Sequence, residues 1–227
     1  NFIFNLFSKF FNFFKTSHEY MSFTKKIKTF LKGIVYEQDL ILANWISPLS
    51  INDIEKNLNL KINKDFFFKD IKEMYIKNND KMKFAQKYMI KYYLPTILIK
   101  IDQASMYNSV EARAPFLSKT IINFSLDHDS KKLYKTFQKK FFLKKIFKKI
   151  IPNYILNAKK HGFAFKKEEI LKDEKLVKSL IDVKSLSNKE FFFEKYKFFL
   201  NNSGNYSNYI WHEIILNNFY KKNSFKK

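Results

Sequence analysis

Glycine and proline are almost absent from this chain, with three and four copies in 227 residues. A many-stranded sheet fold needs frequent tight turns, and most tight turns use one of these two residues where the backbone geometry is special. Helix interiors need neither. The scarcity therefore predicts a mainly α fold built from long helices. Core material is plentiful, since 46% of the residues are hydrophobic and Phe alone supplies 28 of them. The length fits one domain, or one and a half. Cysteine is absent, which excludes disulfides, Cys-based metal sites and a Cys nucleophile.

Helical periodicity and breakers divide the chain further. Residues 1–16 read as an amphipathic helix with an aromatic face. Its apolar run is about a dozen residues, short of the roughly 20 that a membrane span needs. Packing on the rest of the domain is the expected role, and lying on a membrane surface is the alternative. Ser22 or Thr24 caps a second helix through Lys32, which Gly33 ends, and Glu37–Ile46 forms another. Pro48 breaks that helix, and Ser50 with Asp53 begins the next. Residues Lys64–Lys77 and Asp80–Tyr93 read as two helices with a turn at Asn78-Asn79, their Phe67, Ile71, Met74, Tyr75, Phe84 and Tyr88 forming core. Ser118 caps a helix through Leu126, and a polar connector follows over 127–136. Phe137–Ile151 reads as a basic helix with an apolar stripe. Short helices continue to Val183, and Lys189–Leu200 and Tyr206–Tyr220 close the chain around an Asn-Asn-Ser-Gly break.

One stretch, Leu94–Leu117, changes character along its length. Pro95 sits at a helix start, where a missing N–H costs nothing. Ile97, Leu98, Ile101 and Met106 recur at roughly helical spacing, and Asp102 and Ser105 share a face. The period then becomes two. Val110, Ala112 and Ala114 alternate with Glu111 and Arg113, so the carboxylate and the guanidinium point the same way. Pro115 holds Ala114 extended. From the residues alone, Glu111 and Arg113 fit an ion pair anchoring a buried turn, and Asp102 and Ser105 fit local hydrogen bonding, with all four available near the junction of helix and extended chain.

A second stretch, Asn157–Lys166, places Lys159, Lys160, His161 and Gly162 in a loop. Two adjacent ammonium groups beside a glycine suit an oxyanion that the backbone must approach closely. The same residues also fit ordinary basic surface. His18, His128, His161 and His212 show no metal-ligand spacing.

These stretches carry a resemblance. KIDQASMYNSVEARAPFLS (100–118) resembles the segment K-[VI]-D-R-A-S-M-x-x-S-x-E-x-R-x-P-F-L-D of glutamine-dependent asparagine synthetases. ILNAKKHGFAF (155–165) resembles that family's I-L-N-R-x-K-x-G-F-G-V, and YIWHEIILNNFY (209–220) its closing helix. The resemblance implies that residues 1–227 are the helical C-terminal half of an α/β adenine-nucleotide-binding synthetase domain of the PP-loop ATP pyrophosphatase kind. It implies aspartate, ATP with Mg2+, and glutamine-derived ammonia as reactants, with an aspartyl-adenylate intermediate and release of AMP and pyrophosphate. It assigns Lys160 to the phosphates as the catalytic cation, with Lys159 and Gly162 beside it. It puts Asp102 and Ser105 near the substrate pocket, with Glu111 and Arg113 along its wall, and supplies no metal ligand.

The family's Ser-Gly-Gly-x-Asp-Ser loop, its Gly-x-Asp-Glu-Leu-Phe segment and its glutaminase Cys have no counterpart here. The chain opens at Asn1 rather than Met, which fits a piece of a longer protein. The expectation is a chain inactive alone that needs the N-terminal region in cis or trans, with a homodimer compatible. Local departures are Gln103 for Arg, Ser118 for Asp, Ala158 for Arg and Ala164-Phe165-Lys166 for Gly-Val-Pro. Ser118 preserves a helix cap, whereas Ala158 removes a charge beside the phosphate loop.

The formal net charge of +22 would ordinarily suggest a polyanion partner. Lys is spread evenly among Phe, Ile and Asn, all A/T-rich codons, so nucleic acid is not the expected partner. A basic helical nucleic-acid module remains the alternative outside the family, and an amidotransferase acting on a surface sugar or peptide carboxylate the alternative within it. With no membrane segment or export signal, a cytoplasmic location is expected.

Overall fold

The computed structural model describes residues 23–34, 36–136, 138–158, 167–181 and 188–223. The stretch expected to form the amino-terminal aromatic helix and the stretch Lys159–Lys166 lie outside the described residues. The described part is helical, with no strand and one isolated bridge between Lys135 and Gln138. It forms two units, one from residues up to Lys69 together with those from Lys167 onward, the other from Asp70 to Ala158.

The first unit is built on aromatic packing. Its helices are Phe23–Ile34, Ile41–Ile46, Ile51–Leu58, Lys64–Phe67, Lys167–Leu171, Glu174–Leu180, Lys189–Leu200 and Ser207–Asn223. Leu171, Phe192, Phe199 and Ile210 are fully buried, and Val177, Phe191, Tyr196, Tyr209 and Ile214 complete the cluster around them. Phe192 and Tyr196 stack at 6.1 Å between ring centroids, and Phe191 meets Tyr209 edge-on at 5.6 Å. Polar groups in this core are satisfied, as burial requires. The Tyr196 hydroxyl donates to the Leu171 carbonyl at 2.8 Å, and the Tyr209 hydroxyl to Asn57 Oδ1 at 3.3 Å. Burial pushes the Tyr196 phenol up to about 12 and raises Tyr209 further.

Lys195 is the charged member of this core, its side chain only 6% exposed. It pairs with Asp53 at 3.5 Å and Glu194 at 3.1 Å, and lies over the rings of Phe191, Phe198 and Tyr206. Burial opposes its charge, but Tyr206, Asp53 and Glu194 outweigh burial and hold the amine above the ordinary lysine range.

The second unit is organised by one helical run, Lys81–Tyr88 continuing through a π segment, Met89–Tyr93, into Leu94–Met106. The sequence predicts two helices meeting near Leu94, and the structure joins them. Pro95 supplies no N–H to the carbonyl four residues back, and the preceding turn widens so that the Leu94 N–H reaches Met89 O. Asp80 caps the run through Met82 and Lys83 N–H and accepts from Ser130 Oγ at 2.5 Å. That hydroxyl bond, with the cap, holds its carboxyl below the usual range although burial opposes it. Lys83 lays its amine on the Leu126, His128 and Ser125 carbonyls, closing the C-terminal end of the Lys119–Asp127 helix. Tyr75 and Tyr88 pack on the buried Phe84 ring.

A glycine-poor chain must end helices by other means. Asn59, Ser109 and Asn202 take left-handed backbone angles, φ 51°, 56° and 57°. Each closes its helix with the two-bond Schellman pattern: Leu60 N–H to Glu55 O, Val110 N–H to Ser105 O, and Ser203 N–H to Phe198 O, each beside a bond from the preceding N–H to the carbonyl three residues back.

Several sequence expectations are corrected. Helices are mostly short rather than long, because non-glycine residues such as Asn59, Ser109 and Asn202 close them where glycine is scarce. Phe67 is 68% exposed rather than core, since the helix breaks at Phe68 and a new one starts at Lys69. The helix expected to stop at Lys32 runs through Gly33 to Ile34. The one after Glu37 begins only at Ile41, and the basic one spans Phe141–Phe147. The polar connector holds one helical turn, Ser130–Leu133.

Candidate functional site

The Leu94–Leu117 stretch takes the predicted form. A helix from Leu94 to Met106, with Pro95 in its first turn, feeds a turn at 107–109 and an extended piece. Ala114 is extended (φ −107°, ψ 98°), and Pro115–Leu117 forms a 3-10 turn. Ser118 stands at the N-terminus of Lys119–Asp127, but its side chain makes no capping bond, so the expected cap is positional only.

Glu111 and Arg113 meet as the period of two requires. Arg113 Nε donates to Glu111 Oε1 at 2.9 Å and Nη2 to Oε2 at 3.2 Å, a two-point ion pair. It does not anchor a buried turn, since Arg113 and Glu111 side chains are 83% and 64% exposed. Ser105 Oγ donates to the Asp102 carbonyl at 3.1 Å, while Asp102 itself is exposed. Among the described residues, no hydrogen bond or ion pair joins Asp102 to Glu111 or Arg113. A shallow groove runs along another side of the same helix, past Ile99, Lys100, Gln103 and Tyr107. The segment thus offers the Asp102 carboxylate and a guanidinium whose Nε and Nη2 are already held by Glu111, all open to solvent.

Lys159, Lys160 and Gly162 lie outside the described residues, so the loop side of the expected site has no geometry here. Among the described residues no group of three or more His, Asp or Glu stands close enough to hold a metal ion. The sequence also contains no glycine-rich phosphate loop. Two structural residues escaped the sequence reading. Ser109 gives no glycine signal for its left-handed turn, and Lys83 is one of 43 basic residues with nothing local to mark its capping role.

The comparisons agree with the motif. The family model described as asparagine synthase matches residues 17–217, and the chain belongs to that family. A curated relative, asparagine synthetase [glutamine-hydrolyzing] 1 of Bacillus subtilis (strain 168), is 26% identical over 149 residues, which cover 63% of this chain. The matched region is 23% of that relative's length, so the chain spans under a quarter of it. No solved structure matches the chain. Among the described residues no helix is long and apolar enough to cross a membrane.

Proposed function

We propose that this chain is the helical C-terminal part of a glutamine-dependent asparagine synthetase. The whole enzyme would convert aspartate to asparagine with ATP and glutamine-derived ammonia. The observation that carries this reading is the family match over residues 17–217, together with the helix–turn–extended segment its motif requires.

The chain's own contribution is positional and electrostatic. Lys160, with Lys159 beside it, would place positive charge where phosphate charge grows, and Gly162 would let the backbone approach. Asp102 and Ser105 would border the aspartate pocket, and the Glu111–Arg113 pair would stiffen its wall. The apolar groups left in solvent around this segment (Ile99, Met106, Val110, Phe116) support a surface that further parts of the synthetase cover.

The test is an assay for AMP and asparagine with aspartate, ammonia and Mg-ATP. The 227-residue chain alone should form neither. A protein joining it, in cis or in trans, to a region bearing the glycine-rich loop and acidic segment should form both. Lys160→Ala in that protein should lower the rate by about 10²–10³, the usual cost of losing one transition-state charge contact. Robust AMP formation by the chain alone, or an unaltered rate in Lys160→Ala, would refute the reading.

A further inference from the structure

The first unit holds a half-open cleft of about 820 Å³ that the ligase reading does not use. Its volume suits a small organic ligand. The Phe23–Ile34 helix presents Lys28 and Lys32 to it, one turn apart. Lys56 enters from the Ile51–Leu58 helix. Asp53 is the one carboxylate among the lining residues, and it is already paired with Lys195. Three ammonium groups thus line the cleft against that one carboxylate.

Lys32 Nζ donates to the Ser47 carbonyl at 2.6 Å and makes no ion pair among the described residues. Burial pushes this amine down to about 8, and the charge of Asp53 offsets that only in part. Burial lowers Lys28 as well. An amine that has lost water and gained only a carbonyl still favours an anion nearby.

The cleft also has a fixed aromatic wall. Trp45 lies so close to Gly33 that a Cβ there would fall 2.0 Å from the indole nitrogen. Its Nε1–H donates to Phe30 O at 3.1 Å, and its ring stacks on Phe30 at 5.9 Å. Tyr36 lines the cleft beside it.

We propose that this cleft binds a small organic oxyanion carrying a flat ring, its charge on Lys28 and Lys32 and its ring against Trp45 and Tyr36. The site lies wholly in the first unit and stands or falls separately from the ligase reading. Binding requires Lys32 to be protonated, so affinity falls as pH rises through about 8. The titratable groups that line the cleft with Lys32 are Lys28, Tyr36, Asp53, Lys56 and Tyr206, and Lys195 lies behind Asp53 and Tyr206 as their partner. Burial raises the Tyr206 phenol and Lys195 is raised overall, so neither changes charge in this range.

The experiment titrates the 227-residue chain with phenyl phosphate, benzoate, inorganic phosphate and phenol, following Trp fluorescence. A Trp211→Phe background leaves Trp45 as the reporter. Saturable quenching by phenyl phosphate or benzoate is expected, at least tenfold tighter than by the ringless or uncharged probe. Whichever binds tighter tells a phosphorylated from a carboxylated ligand. Affinity should weaken about tenfold from pH 7 to pH 9, as the free Lys32 amine loses its proton, and at least tenfold in Lys32→Met. Equal responses to all four probes, or an affinity independent of pH, would overturn the proposal. Unaltered binding in a folded Lys32→Met would do so too. If circular dichroism shows that variant unfolded, the pH profile of the unaltered chain decides.

Discussion

The C-terminal helix pair and the Leu94–Leu117 stretch are both rich in large apolar side chains, and they place them oppositely. Phe192 and Phe199 are 0% exposed, whereas Tyr107 is 91% and Phe116 59% exposed. Polar groups divide the same way. Lys195 is buried and held by two carboxylates and three rings, while Arg113 meets Glu111 in open solvent. The C-terminal pair encloses its own core. The central stretch keeps backbone order without enclosing one. Its order comes from local devices: Pro95 at the start, the Schellman closure at Ser109, and the two-residue period of the ion pair.

Mutations can break this contrast, beginning with the largest effect. Phe192→Ala should cost about 3–5 kcal/mol in a denaturant melt, because a fully enclosed aromatic leaves a cavity. A loss under about 1 kcal/mol would mean that the C-terminal pair is not an enclosed core. Lys195→Met should cost about 3 kcal/mol by the same measurement, since Asp53 loses its partner while only 20% exposed. Ser50→Ala removes the side-chain acceptor of the Asp53 N–H and should cost about 1 kcal/mol.

The tyrosines sharpen the contrast through pH. In the unfolded chain Tyr196 ionises near 10, and burial raises it to about 12 in the fold. The unfolded state therefore releases its proton first. Stability should be fully present below pH 10 and fall between about 10 and 12, visible as a dropping melting temperature. Tyr196→Phe should flatten that slope. At the small end, Tyr107→Ala and Glu111→Gln should each shift stability by no more than about 0.5 kcal/mol, since both positions are solvent-exposed. A large loss at either would show that the central stretch is packed within the chain itself.

The contrast also explains what was legible in the sequence. Lys189–Leu200 stands where the periodicity puts it, because burial and period coincide there. Pro95, the Asn78-Asn79 turn and the Glu111–Arg113 pairing were legible because each follows from a backbone constraint. The joining of Lys81–Tyr88 to Leu94–Met106 was not, since proline normally marks a boundary and a π turn leaves no residue signature. Phe67 looks like core by residue type, and only the break at Phe68 turns it outward. The cleft lysines were hidden among 43 basic residues, because burial, which sets Lys32 apart, is a tertiary property. The proposal for Asp102, Ser105, Glu111 and Arg113 rests on a family motif rather than on chemistry visible in the residues.

The central claim is that these residues serve asparagine synthesis. It is tested most directly by measuring AMP and asparagine together in a protein that joins this chain to the glycine-rich loop, with ammonia as nitrogen donor. The account predicts one AMP for each asparagine, with both lost in Lys160→Ala. AMP formed without asparagine, or both products at full rate in Lys160→Ala, would contradict it.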